Sequence, residues 1–234
     1  RNPYGGNRIG TQSQPHVGLP YGKTLDPAAL KSNNTQSHPH IPFEVKRVKR
    51  HWNFLESRVV YQNRIVQVRE ETYRFVPNNI VRDFTVLGFA DWVNIIPITP
   101  EGKVVMIRQY RLGTRSETLE IPGGLISEGD SDPAEAALRE MIEETGYHSD
   151  EVVHIGTVEP NPAIQNNRCH TYLARNAVPV SGQNLDPTEA IEVELVDRKD
   201  IPALVHSYRI THGLVLAAFA HLMIHETSSR SPDP

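Results

Sequence analysis

The sequence predicts an α/β (α+β) sandwich. Three observations carry this: stretches rich in Val, Ile, Tyr and Phe outnumber helical ones, the two kinds are mixed along the chain, and turns containing Pro, Gly or Asn punctuate them. Residues 1–45 stand apart. They are rich in Pro, Gly, Asn, Ser, Gln and His without apolar periodicity, and read as an extended or disordered arm. The basic run VKRVKR at 45–50 reads as a solvated edge, because it is short and carries no interleaved aromatics. From 46 to 90 a small antiparallel β domain is expected. Its strands are SRVVYQN, RIVQVREETYRFV and IVRDFTVLGF, with Pro77-Asn78-Asn79 as a turn. WVNIIPIT (92–99) and KVVMIRQYR (103–111) are apolar enough for buried central strands on either side of the turn PEG. VVHIGTV, RCHTYLA and AIEVELV supply three later strands, and two helices are expected near 198–206 and 209–225. Residues 91–226 make the main domain and 227–234 a tail. No internal repeat is visible.

A chain of 234 residues suffices for one generous domain, or one domain with an appendage. Its 38% hydrophobic and 22% charged residues are ordinary for a globular protein. A net charge of -4 and a pI near 6.3 give no reason to expect nucleic acid or an anionic membrane as partner. Cys169 is the single cysteine, so no intrachain disulfide can form and a reducing, cytoplasmic setting is expected. No run of about 18 apolar residues marks a membrane span, and no signal-peptide pattern opens the chain. It begins at Arg1 rather than Met, so an upstream leader stays open. The sequon Asn33-Asn34-Thr35 and the pair His38-Pro39-His40 are short patterns, and chance and solvation are the preferred readings.

The most informative stretch is ALREMIEETGY (137–147). Asp132-Pro133-Ala134-Glu135 is a helix start: Asp132 caps, Pro133 occupies a position where its missing N–H costs nothing, and Glu135 closes a capping box. Gly146 supplies a left-handed stop, so the helix spans 133–145. At about 100° per residue, Ala134, Ala137, Leu138, Met141 and Ile142 form an apolar stripe. Glu140, Glu143 and Glu144 share a separate face, and the short Ala136 leaves space before them. Arg139 can pair with Glu143 one turn on. Glu140 and Glu144, also one turn apart, repel by roughly 0.2–0.5 kcal/mol with no basic neighbour. A solvated acidic face is the ordinary reading of such a helix. Against it stands LEIPGGLISEGD just upstream, a Gly-rich loop leaving an apolar strand, where backbone can approach a ligand closely. Carboxylates beside such a loop suit a hard divalent cation such as Mg²⁺, which shares its sphere with water and phosphates and would remove the repulsion.

These residues resemble the Nudix box, Gly-x5-Glu-x7-Arg-Glu-apolar-x-Glu-Glu-x-Gly-apolar. REMIEETGY (139–147) fits its second half completely. In the first half, counted from Gly124, Asp130 holds the Glu position and eight residues instead of seven separate it from Arg139. VVMIRQYR, LEIPGGLI, Pro162 and EAIEVELVDRKDIPALV extend the resemblance, over residues 50–225, to the ADP-ribose pyrophosphatase branch. The resemblance implies a Nudix α/β/α sandwich with a mixed sheet, preceded by the small β domain. It also implies a homodimer in which that domain is exchanged between chains.

The site roles follow from the resemblance. Glu140, Glu143 and Glu144 hold Mg²⁺, for which Mn²⁺ is the substitute, with the Gly123 carbonyl and Glu120 completing the sphere. Arg111 contacts the substrate's phosphates and Arg139 orients Glu143. The general base comes from the acidic loop LDPTEAIEVE (185–194), with Glu189 first and Glu192 second. Trp92 and Trp52 are the candidates for stacking on adenine, while His170 and His212 read as structural. The implied reaction is hydrolysis of a nucleoside diphosphate sugar, foremost ADP-ribose to AMP and ribose 5-phosphate. Another nucleotide sugar such as GDP-mannose, a dinucleotide, or a sensor that binds without cleaving remain the alternatives.

Overall fold

The computed structural model describes residues 51–127 and 129–229. The arm, its sequon and histidine pair, the basic run, residue 128 and the end of the tail lie outside the described residues. Strands β1 (Trp52–Gln62), β2 (Gln67–Phe75) and β3 (Ile80–Gly88) form an antiparallel meander. Two register shifts bend β1. Asn79, in the left-handed region, makes the turn into β3.

The chain continues through β4 (Trp92–Pro97), β5 (Lys103–Arg111), β6 (Ser116–Glu120), β7 (Gly123–Leu125), α1 (Pro133–Thr145), β8 (Tyr147–His148), β9 (Glu151–Val158) and β10 (Cys169–Arg175). β11 (Val178–Pro179), β12 (Ile191–Asp197), α2 (Ile201–His206) and α3 (Gly213–Ser229) follow. A mixed sheet has the order β7-β4-β10-β9, with β4 and β10 parallel, and a second sheet has the order β12-β5-β6. Alternation sorts the side chains of the mixed sheet onto two faces. Val93, Ile95, Tyr172 and Ala174 pack with Ala136, Ala137 and Met141 of α1. Ile96 and Leu173 pack with Met106, Leu119 and the α3 residues Val215, Ala218 and Leu222. The result is the mixed α/β sandwich the sequence predicts.

Four local expectations are corrected. The Gly-rich stretch is not a loop throughout: Gly123–Leu125 pairs with β4, because glycines accept the extended backbone and nothing on them obstructs the neighbour. The capping box closes one residue early, since Glu135 accepts from the Ser131 N–H while Asp132 accepts from Ala134 and Glu135. Ala136 does not stand clear before the carboxylates; it is fully buried against the sheet. The last helix begins at Gly213, and His212 precedes it as its cap, its carbonyl accepting from Val215 and Leu216. Among the described residues no helix is long and apolar enough to cross a membrane.

Candidate active site

Helix α1 is fixed at both ends by the signals its sequence carries: Asp132 at the N-cap and Gly146 at φ 73°. That clamp sets the azimuth of its glutamates. Ala136, Glu140 and Glu144 lie along one line of the helix, so the line that enters the core at Ala136 continues as carboxylates. Glu144 is only 5% exposed, and Glu140 is largely covered. Opposite them runs β7. A Cβ on Gly124 would collide with the Glu140 carboxylate, and one on Gly123 with the Val93 carbonyl. Glycine is required at 123, where the β4 backbone leaves no room for a Cβ, and at 124 its absence of a side chain lets the Glu140 carboxylate lie against the strand.

Arg139 organises the outer part of the group. Its Nε and Nη2 reach the two oxygens of Asp130 at 2.9 and 3.0 Å, and Nη1 reaches Glu140 Oε1 at 2.9 Å and Glu143 Oε2 at 3.0 Å. Nη2 also donates to the Leu125 carbonyl. Asp130 therefore anchors the arginine despite the extra residue between them, and the arginine's hydrogen bonds hold its carboxyl below the usual range. Arg139 touches Glu143, as expected, and Glu140 as well.

Glu144 has no basic side chain on it. Its Oε2 accepts from the Gly123 N–H at 2.9 Å. Burial pushes its carboxyl up to about 8; the Gly123 hydrogen bond opposes this, and the Glu140 carboxylate adds to it. Burial raises Glu140 too, with Arg139 offsetting part. Among the described residues no three His, Cys, Asp or Glu side chains are gathered tightly enough to cage an ion as they stand, because Glu140 and Glu143 are turned onto Arg139. The donor set nevertheless fits a hard divalent cation. It is all oxygen, comes from adjacent turns of one clamped helix, and includes one buried carboxylate, Glu144, with no basic side chain on it.

Arg111, at the end of β5, meets Glu120, at the end of β6, through paired hydrogen bonds of 2.8 and 2.6 Å. Thr118 donates to the same carboxylate. Burial works to raise Glu120, but the Arg111 and Thr118 bonds outweigh it and hold its carboxyl low. In this arrangement Glu120, 2% exposed, braces the half-exposed arginine and leaves Nη1 of Arg111 uncommitted.

The loop after β11 is tied to the end of α1. Gln183 Nε2 donates to the carbonyls of Glu144 and Ile191, and the Asn184 N–H donates to that of Glu143. Gln183 was not singled out in the sequence, since nothing local marks it as a clamp. Glu189, on this loop, lies within electrostatic reach of Arg111, Glu140 and Glu144. Glu192 lies on β12 opposite Arg108.

A cavity of about 580 Å³ opens beside these groups, a volume typical of small-molecule sites. Trp92, Asn94, Arg111, Glu120, Gly123 and His212 are among its lining. Trp92 packs on Phe89 at 5.6 Å between ring centroids and also faces the cavity. Trp52 is elsewhere, in tilted contact with Phe75 and edge-on contact with Phe84 on the meander. His170 is held by Thr157 and faces Asp91, a structural placement. His212 lines the cavity, with Nδ1 4.0 Å from Glu120. Burial pulls its ring toward the neutral form.

The glycine strand, the clamped acidic helix and the arginine that bridges them are the parts of one domain type. The Nudix domain profile matches residues 89–219, and the chain belongs to the Nudix family. It is a Nudix hydrolase with ADP-ribose pyrophosphatase relatives, and such enzymes generally use divalent metal ions. It is similar to the ADP-ribose pyrophosphatase of Bacillus subtilis (strain 168), 27% identical over 168 residues that cover 71% of this chain and 90% of that one. It is also similar to the methanol dehydrogenase activator of Bacillus methanolicus, 25% identical over 185 residues covering 79% and 95%. Among solved structures, an ADP compounds hydrolase shares the fold at a TM-score of 0.67, with 21% identity, over 76% of this chain and 96% of that one.

Proposed function

We propose that the chain hydrolyses the diphosphate bond of ADP-ribose, giving AMP and ribose 5-phosphate, with Mg²⁺ held by Glu140, Glu143, Glu144 and the Gly123 carbonyl. One observation carries the reading: the buried Glu144, with no basic side chain on it, and the largely covered Glu140 beside it abut a glycine strand next to a nucleotide-sized cavity that Arg111 also lines. When bound, the cation would neutralise the non-bridging phosphate oxygens. The chain's own residues do the rest. Arg111, braced by Glu120, offers Nη1 to a phosphate oxygen. Arg139 orders Glu140 and Glu143 through Asp130. Glu189 takes the proton of the attacking water as its oxygen bonds to one phosphorus; the bond from that phosphorus to the bridging oxygen breaks, and the bridging oxygen leaves with the other phosphate. Trp92 supplies a stacking face for the adenine.

The same reading includes a homodimer built on residues 46–90. The meander exposes Trp52 at 43%, Phe54 at 56% and Phe84 at 42%, and Val59, Val60 and Tyr61 are exposed further along β1. An apolar face of that extent is characteristic of an interaction surface.

The test is product release from ADP-ribose, GDP-mannose, NADH and diadenosine polyphosphates with Mg²⁺. ADP-ribose should give the highest kcat/KM, with AMP and ribose 5-phosphate as products. Tight binding of one compound without release would replace the enzyme reading with that of a sensor.

A further inference from the structure

Buried side-chain oxygens and nitrogens without a hydrogen-bond partner are rare in folded proteins, and each asks for an explanation. Among the described residues they occur on Asn94, Asn167, Thr171 and His212. Two of these four, Asn94 and His212, line the cavity beside the glutamates, and Thr171 stands opposite Asn94 in the parallel register of β4 and β10. Asn94 is 6% exposed. Its Nδ2 donates to the Leu214 carbonyl at 3.4 Å, which turns the amide and leaves Oδ1 a bare acceptor. Nδ1 of His212 is too far from Glu120 for a hydrogen bond, and both oxygens of that carboxylate already accept from Arg111. The lining around them, with Trp92, Ile121, Leu125 and Val215, is largely apolar. An apolar pocket with a few unpaired polar atoms is the usual construction of a site that discriminates between ligands.

We infer that Asn94 and His212 determine specificity in this cavity by reading a neutral N–H or O–H group on the half of the nucleotide sugar that enters it. The inference rests on the diphosphatase reading above. An amide oxygen only accepts, so the substrate must present a donor to Asn94, and a ligand with a carbonyl at that place leaves two acceptors facing each other. Nδ1 of the imidazole donates or accepts according to tautomer and completes the pair. The donor has two sources, the amino group of the nucleobase or a hydroxyl of the terminal sugar.

The experiment compares kcat and KM for three compounds: ADP-ribose, its inosine counterpart with a carbonyl in place of the amino group, and an analogue whose terminal sugar lacks its vicinal hydroxyls. The unaltered chain should prefer ADP-ribose over one of the two analogues by about tenfold or more, because a site built around a hydrogen bond rejects a ligand that lacks it. Asn94→Leu and His212→Ala should each erode that one preference, mainly through KM, while the other ratio stays fixed. Loss of the base ratio assigns the cavity to the nucleobase; loss of the sugar ratio assigns it to the terminal sugar. General damage to the fold lowers all three rates together and leaves the ratios intact. His212→Ala, at a less buried position, is decisive should Asn94→Leu fail to fold. Equal rates for all three compounds, or ratios that survive both substitutions, would overturn the inference and leave ordered water as the partner of these atoms. If no compound is turned over, the diphosphatase reading fails separately, and the same ratios are read in Kd by calorimetry.

Discussion

The meander and the mixed sheet are built from similar residues and meet opposite fates. β1 carries Trp, Phe, Leu and Val and is exposed along its whole length, whereas Ile95 and Ile96 on β4 have no exposed surface. Composition alone does not separate them. The difference lies in what covers each face: β4 has α1 on one side and the second sheet with α3 on the other, while among the described residues the meander pairs only with its own three strands apart from one bridge, Leu87 to Gln165. Apolar strands without cover among the described residues fit the interface of the proposed homodimer.

The comparison can be broken by substitution. Ile96→Ala in the doubly covered strand should cost about 2–5 kcal/mol, seen as a lower midpoint in urea with an unchanged slope. A smaller intermediate effect is expected where a carboxylate replaces the apolar residue on a covered surface. Glu144 has a folded-state pKa above its unfolded value, so the folded chain binds the proton more tightly and the metal-free protein loses stability as pH rises from the ordinary carboxylate range toward about 8. Glu144→Gln should remove that slope and raise the metal-free Tm at pH 8–9 by roughly 2–4 °C, about 1 kcal/mol, and added Mg²⁺ should flatten the slope for the unaltered chain. The smallest effect on folding is predicted for the meander. Phe54→Glu should leave far-UV circular dichroism unchanged and shift the particle from dimer to monomer in sedimentation. A Phe54→Glu chain that stays dimeric would place the interface elsewhere.

Most of this organisation could be read from the residues because local signals were strong. Asp132, Pro133 and Gly146 bounded α1 at its observed ends, since caps act within a turn and need no tertiary partner. KVVMIRQYR coincides with β5 for a similar reason. What escaped was set by tertiary contact. Gly123 and Gly124 look like loop residues until β4 pairs with them. Ala136 seemed to stand before the glutamates, whereas the sheet covers it. His212 looked like a lone helical histidine, because its place opposite Glu120 depends on how α3 packs against β4, β9 and β10. Gln183 was invisible for want of any local pattern.

The central claim is that Glu140, Glu143 and Glu144 share a divalent cation. Mn²⁺ titration followed by electron paramagnetic resonance tests it directly, with the unaltered chain set against one carrying Glu140→Gln, Glu143→Gln and Glu144→Gln together. The unaltered chain should show saturable Mn²⁺ binding that the triple substitution abolishes, along with hydrolysis of ADP-ribose. Undiminished binding in the substituted chain would contradict the claim.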